Sequence, residues 1–181
     1  TIMSTTNLQS APVFSKICFR QLVEYSFAKN FEDKLALIDN EELNICNNIE
    51  VDFIALLFCT HGNIELDINN EHYFMGTNDM FYCSYGTLLH HISFSTGCRV
   101  KALCVSVEYA KRLFMRSNCC WENVVYAKHY PLIYLRPNEQ QLVRAYYQLF
   151  TAKVNSYGFA PSKNDMDCFF QSFFQDFNQL L

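Results

Sequence analysis

Histidine, cysteine and carboxylate side chains are the groups that could do chemistry in this sequence, and their spacing decides how much. The adjacent pair His90-His91 stands out, inside the apolar run TLLHHISFS. Adjacent side chains on a β-strand point to opposite faces, so one metal cannot take both imidazoles. A metal needs three or four convergent ligands, and the region before Gly62 offers only Asp52 and His61. The expectation is therefore no metal and no cofactor. One histidine of the pair is expected to face inward, as a satisfied core residue or as a hydrogen-bonding group for a ligand.

Nine cysteines are present, an odd number, and no C-x-x-C occurs. That spacing argues against a zinc knuckle and against a disulfide framework. Cys59, Cys83 and Cys104 lie in apolar strand-like runs, where a thiol behaves as a small hydrophobe. The vicinal Cys119-Cys120 has no neighbour that would lower a thiol pKa. No Gly-x-Ser-x-Gly elbow and no glycine-rich phosphate loop occur among only five glycines. Glu41-Glu42 sits in a turn-like stretch and reads as solvated. These absences give the reading that the chain is not an enzyme. For a binding pocket the candidates are Tyr73, Tyr82, Tyr85, His90, Phe94 and Arg99. The aromatics would supply apolar walls, and Arg99, at a strand start, could meet an anionic group.

Elements must position these groups. With 181 residues, half of them apolar and including 17 Phe and 11 Tyr, the chain can bury a substantial core. Residues 1–13 are polar and without period, and read as a flexible arm. Leu35-Ala36-Leu37-Ile38 reads as a strand, with Asp39-Asn40 as the turn after it. VDFIALLFCT reads as one buried strand. GNIELDIN alternates apolar and polar, then Asn69-Asn70 can supply left-handed turn conformations before EHYFM. Thr77-Asn78-Asp79 and Ser95-Thr96-Gly97 are further turns, separating MFYCS, TLLHHISFS and CRVKALCVSV. Short strands at regular spacing predict a sandwich or barrel. After Val107 the period becomes helical at Tyr109, Ala110, Leu113 and Phe114, and 117–137 reads as irregular. Asn138, with Gln141, reads as the cap of a helix over 139–157 that Gly158 and Pro161 end. Ser162, with Asp165, caps another over 163–181. These two should form a helical hairpin.

The stretch FIALLFCTHGNIELDINNEHYFMGTNDMFYCS resembles the hairpin of cupin-like N-terminal domains in AraC-type transcriptional regulators, especially Bacteroides-like ones, where a short helix like VEYAKRLF follows the last strand. The resemblance covers about residues 50–181. It implies an α+β fold: a cupin-like β-barrel (double-stranded β-helix) over 14–107, followed by a helical dimerisation region over 108–181 that includes the C-terminal hairpin. It further implies a small-molecule effector, a homodimer, and DNA contacted only through a separate C-terminal domain with two helix-turn-helix motifs. Metal-dependent cupins carry a His-x-His plus carboxylate set that this sequence lacks. A metal-dependent isomerase or dioxygenase stays as an alternative, as does a dimerisation barrel without ligand.

The aromatic crowding Phe169, Phe170, Phe173, Phe174 and Phe177 is wider than one helix stripe. With Tyr146 and Phe150 it is the expected dimer interface. Net charge is −4 and basic residues are scattered, which disfavours direct DNA binding. No apolar run approaches the ~20 residues that span a bilayer, and no signal peptide is evident, so a cytoplasmic location without membrane attachment is expected. The last helix stripe is still in phase at Leu180-Leu181. Continuation into a DNA-binding domain is the expectation drawn from it.

Overall fold

The computed structural model describes residues 14–24, 28–40, 48–116, 121–155 and 163–180. The arm at 1–13, the stretch with Glu41-Glu42 and the Cys119-Cys120 pair lie outside the described residues. The chain runs β1 (Ser15–Cys18), α1 (Phe19–Glu24), β2 (Ala28–Phe31), β3 (Leu35–Asn40), β4 (Ile49–Asp52), β5 (Ile54–His61), β6 (Ile64–Ile68), β7 (Glu71–Met75), β8 (Met80–Cys83), β9 (Thr87–Phe94) and β10 (Arg99–Val105). Then come α2 (Val107–Arg116), α3 (Trp121–His129), β11 (Leu132–Ile133), α4 (Pro137–Asn155) and α5 (Lys163–Phe177). A five-stranded sheet has the order β1-β4-β9-β6-β7, and a six-stranded sheet the order β11-β8-β5-β10-β3-β2. The fold is the expected α+β cupin-like barrel with helices after it. No helix among the described residues is long and apolar enough to cross a membrane.

The turns form for the reasons the sequence carries. Asn69 and Asn70 have φ of 50° and 69°, as a two-residue hairpin between β6 and β7 requires. Gly76 N–H donates to the Asp79 carboxylate at 2.9 Å in the Thr77–Asp79 turn. Gly62, at φ +78°, leaves room for no side chain, because a Cβ there would stand 2.6 Å from Ser95 Oγ and 3.0 Å from Cys98 Cα.

Four local expectations need correction. VDFIALLFCT is not one strand: the chain breaks at Phe53, so β4 joins one sheet and β5 the other. Asp39 and Asn40 are not a turn but the end of β3, paired with Lys101 and Val100. The 117–137 stretch is not all irregular, since it holds α3, and β11 pairs with β8. Finally, α4 starts at Pro137, whose missing N–H costs nothing in a first turn. Glu139 there accepts the Arg136 N–H at 2.6 Å, the reciprocal half of a capping box.

Two apolar clusters lie back to back across the six-stranded sheet. Between the sheets pack Ile38, Val51, Ala55, Cys59, Ile64, Leu66, Met75, Phe81, Cys83 and Cys104. On the other face Leu35, Leu37, Leu56, Phe58, Met80, Tyr82 and Leu103 meet the helices. Strand β8 shows the alternation: Phe81 and Cys83 point into the barrel, Met80 and Tyr82 toward the helices.

This packing corrects the expected interface. Phe150, Phe170, Phe173, Phe174 and Phe177 are buried in this chain's own core, and Tyr146 and Phe169 are half-buried against it. Phe150 meets Phe169 edge-on at 4.6 Å, Phe170 meets Phe174 likewise at 4.6 Å, and Phe177 stacks on Tyr82 at 6.3 Å. The aromatics are crowded because they cover a broad sheet face. Polar ties fix the layer. Tyr147 OH donates to the Ile38 carbonyl at 2.8 Å, and Tyr109 OH to Asp167 at 2.8 Å.

Burial of the phenylalanines has a measurable consequence. Phe170→Ala should destabilise the chain by about 3–5 kcal/mol in urea unfolding, the usual cost of truncating a core aromatic. Tyr134→Ala, at an exposed position between β11 and α4, should stay within about 0.5 kcal/mol of the parent. Equal small effects would mean that α5 does not cover the barrel.

Candidate functional site

The six residues expected to line one pocket do not converge. Tyr73 and Phe94 pack on the barrel interior, Tyr73 edge-on to Phe81 at 6.0 Å with its hydroxyl donating to Glu71. Tyr82 lies on the opposite face of its sheet, under the helices. Tyr85 is exposed, with the Lys16 ammonium 5.4 Å from its ring centre. Arg99 is exposed at the start of β10, in register with His61. His90 sits on the outer face of the five-stranded sheet.

That last placement comes from a bulge. Glu65 pairs with Ser93 but Asp67 pairs with His90, so β9 carries one extra residue there. His91 has φ +50° and is the inserted residue. Strict alternation thus fails at this step. Asp67, outward on β6, has the outward His90 beside it, and His91 joins the same face. The sequence argument that His90 and His91 must diverge is corrected by this bulge.

The result is a carboxylate ringed by imidazoles. Asp67 Oδ2 accepts from His91 Nδ1 at 2.7 Å, and Asp67 Oδ1 from His72 Nδ1 at 2.8 Å. His90 Nδ1 lies 3.8 Å from Asp67 Oδ2. The hydrogen bonds from His91 and His72 hold the Asp67 carboxyl below the usual carboxylate range. His90 is buried, with Phe14 edge-on to its ring at 5.8 Å, and its Nε2 has no hydrogen-bond partner. Sequence reasoning missed Asp67 and His72. The Asn69-Asn70 turn could have found them, because a two-residue hairpin pairs Ile68 with Glu71 and hence Asp67 with His72.

A second place is a cleft of about 770 Å³ where the barrel meets the helices. Phe19, Arg20 and Glu24 of α1, the β2–β3 turn with Lys34, Ser106, and Tyr109 and Arg112 of α2 line it. Lys34 is buried and ion-paired with Glu32. Tyr109 and Arg112 both reach Asp167 of α5, at 2.8 and 3.4 Å. The lining mixes three cations with several carboxylates and two aromatic rings, so it suits a small polar molecule. No local sequence signal marked it, because its walls come from three separate segments.

The buried thiols Cys59, Cys83 and Cys104 make poor nucleophiles. Burial pushes Cys83 up to about 12. Burial, with the neighbouring Cys98, pushes Cys59 up to about 12 as well. Burial raises Cys104 too. A thiol so raised is protonated at neutral pH, and the thiolate is the reacting form.

No protein-family model matches the sequence, and none of the curated proteins is similar enough to count as a relative. Solved structures do share the fold. Apo ToxT K231A from Vibrio cholerae strain SCE256 matches with TM-score 0.51 at 14% identity, over 81% of this chain and 56% of that one. The cupin domain of Schizosaccharomyces pombe Cnp3 matches with TM-score 0.36 at 13% identity, over 46% and 60%. KdgF from Halomonas sp. matches with TM-score 0.35 at 12% identity, over 40% and 68%. The chain thus spans little more than half the length of ToxT. At these identities the likeness is one of fold.

Protection of the buried thiols is open to chemical labelling. Iodoacetamide near neutral pH should modify the exposed Cys168 and spare Cys59, Cys83 and Cys104 until the chain is unfolded in guanidinium. Peptide mass spectrometry reads the outcome. Rapid native labelling of Cys83 would contradict its burial.

Proposed function

We propose that the chain is a non-catalytic effector-sensing and dimerisation domain of an AraC-type transcription regulator, acting in the cytoplasm. One observation carries the reading. ToxT, an AraC-family regulator, is matched over 81% of this chain, a span too long for the barrel alone.

The cleft supplies a physical route for sensing. Its occupant would touch the barrel at Lys34 and Ser106 and the helices at Tyr109 and Arg112. The last two are also the residues bonded to Asp167, so binding there would bias how α2 holds α5. A ligand shifts such an equilibrium by its difference in affinity for the two arrangements. The effector is a small polar molecule. DNA would be contacted by a basic helix-turn-helix domain elsewhere in the polypeptide, since this acidic chain offers little for phosphates.

Dimerisation is assigned to a different face from the phenylalanines. Leu142, Ala145, Leu149 and Ala152 are exposed along α4 at spacings of three and four, the a/d pattern of a coiled-coil seam. Val143, Tyr146, Tyr147 and Phe150 occupy the other side, against the barrel. Two copies of α4 could therefore pair without disturbing the core.

Two experiments test the proposal. A thermal-shift screen of polar metabolites should find a compound that raises the melting temperature by mass action. Arg112→Ala should abolish that rise, and the reading frame beyond Leu181 should encode paired helix-turn-helix units. A stop codon directly after Leu181 would remove the transcription-factor reading. Separately, light scattering should give twice the chain mass at tens of micromolar, a concentration that reveals affinities of about 1 μM. The double variant Leu142→Asp, Leu149→Asp should give the chain mass while keeping its circular dichroism. A parent that is monomeric there refutes the seam.

A further inference from the structure

The Asp67 cluster plays no part in the proposed sensing, and it lies outside the barrel. We propose that Asp67, His90 and His91 form a binding site for one divalent transition ion of zinc-like character, on the outer face of the five-stranded sheet.

Geometry supports this first. One donor atom from each of the three residues lies within 4.8 Å of the others. A tetrahedral ion with bonds of roughly 2.0–2.2 Å wants its donors roughly 3.3 Å apart. The observed separations of 2.7 Å for His91 to Asp67 and 3.8 Å for His90 to Asp67 bracket that value. Small side-chain rotations bring all three onto one centre. Two of the donors, Asp67 and His90, stand on paired strands in register, so the backbone already fixes their approach.

The surroundings support it independently. His90 is buried, and the nitrogen it turns toward Asp67 is Nδ1. Phe14 packs edge-on against its ring at 5.8 Å and holds the imidazole beside the carboxylate. His72 plays the outer role for the carboxylate. It holds Oδ1 at 2.8 Å and leaves Oδ2 turned toward His90 and His91. Bonds to groups behind the ligands typically set their orientation in this way.

Donor chemistry selects the ion. Two imidazoles and one carboxylate suit zinc, cobalt or nickel, while calcium and magnesium prefer all-oxygen sites. Three protein donors leave a fourth position for water. His91 and His72 are exposed, so the ion can enter from solvent. Once bound, it would join β6 to the bulge of β9, beside Phe14 at the start of β1.

The 181-residue chain, stripped of metal and then titrated, tests the site. Zn²⁺ in competition with a chromophoric chelator should bind one equivalent per chain, with a dissociation constant on the order of 1 μM or tighter. Co²⁺ should give ligand-field absorption without a thiolate charge-transfer band, which separates this site from the nine cysteines. His91→Ala and Asp67→Asn should each weaken binding at least tenfold with circular dichroism unchanged. His72→Ala should weaken it about tenfold, as outer partners do. His129→Ala, on α3, should change nothing. Binding only at millimolar metal, a thiolate band, or full affinity in both His91→Ala and Asp67→Asn would each overturn the proposal.

Discussion

The six-stranded sheet is apolar on both faces, and the rest of the molecule is arranged around that constraint. One face closes the barrel against the five-stranded sheet. The other, with Leu35, Leu37, Leu56, Phe58, Met80, Tyr82 and Leu103, would be a large wet hydrophobic surface if left bare. At about 25 cal/mol per Å² such a surface is costly to expose. Helices α4 and α5 cover it with a layer of phenylalanines, and α2 and α3 close its edge. The helical region is therefore part of the barrel's own core and not an appendage to it.

Covering the sheet this way buries polar groups in the joint as well. Asp167 is a buried acid that Tyr109 and Arg112 bond from α2. A buried charge deprived of its partners costs several kcal/mol. The same two side chains form one wall of the polar cleft. Cleft and helix packing thus share residues, which is the condition for an occupant of one to be felt by the other.

The five-stranded sheet answers to a different rule. Its outer face holds polar residues, and Asp67, His72, His90 and His91 collect there. Burial on that face is local: Phe14 lies over His90, while His72 and His91 stay open to solvent.

Strand and helix identity was readable from the chain alone wherever a period was long or a turn had its own chemistry. Asn69-Asn70, Gly62 and the Ser95–Gly97 turn act through local φ preferences, which need no distant contact. The stripes of α4 and α5 were equally plain. Periodicity marks a face as apolar, however, without naming what covers it. Phe170 and Phe174 were read as a surface for a partner, and only tertiary packing set them on Phe58, Tyr82 and their neighbours. The same limit governed Tyr82, whose alternation was clear but whose direction depended on which sheet face closed the barrel. The break at Phe53 was hidden because residues on both sides are apolar: one strand buried throughout and two strands in facing sheets look alike in sequence. The bulge at His91 was hidden for a simpler reason. It is a register choice between β6 and β9, residues 24 apart for Asp67 and His91. A strand pattern read by itself holds no record of its partner's register, so the meeting of Asp67, His90 and His91 was decided by the fold.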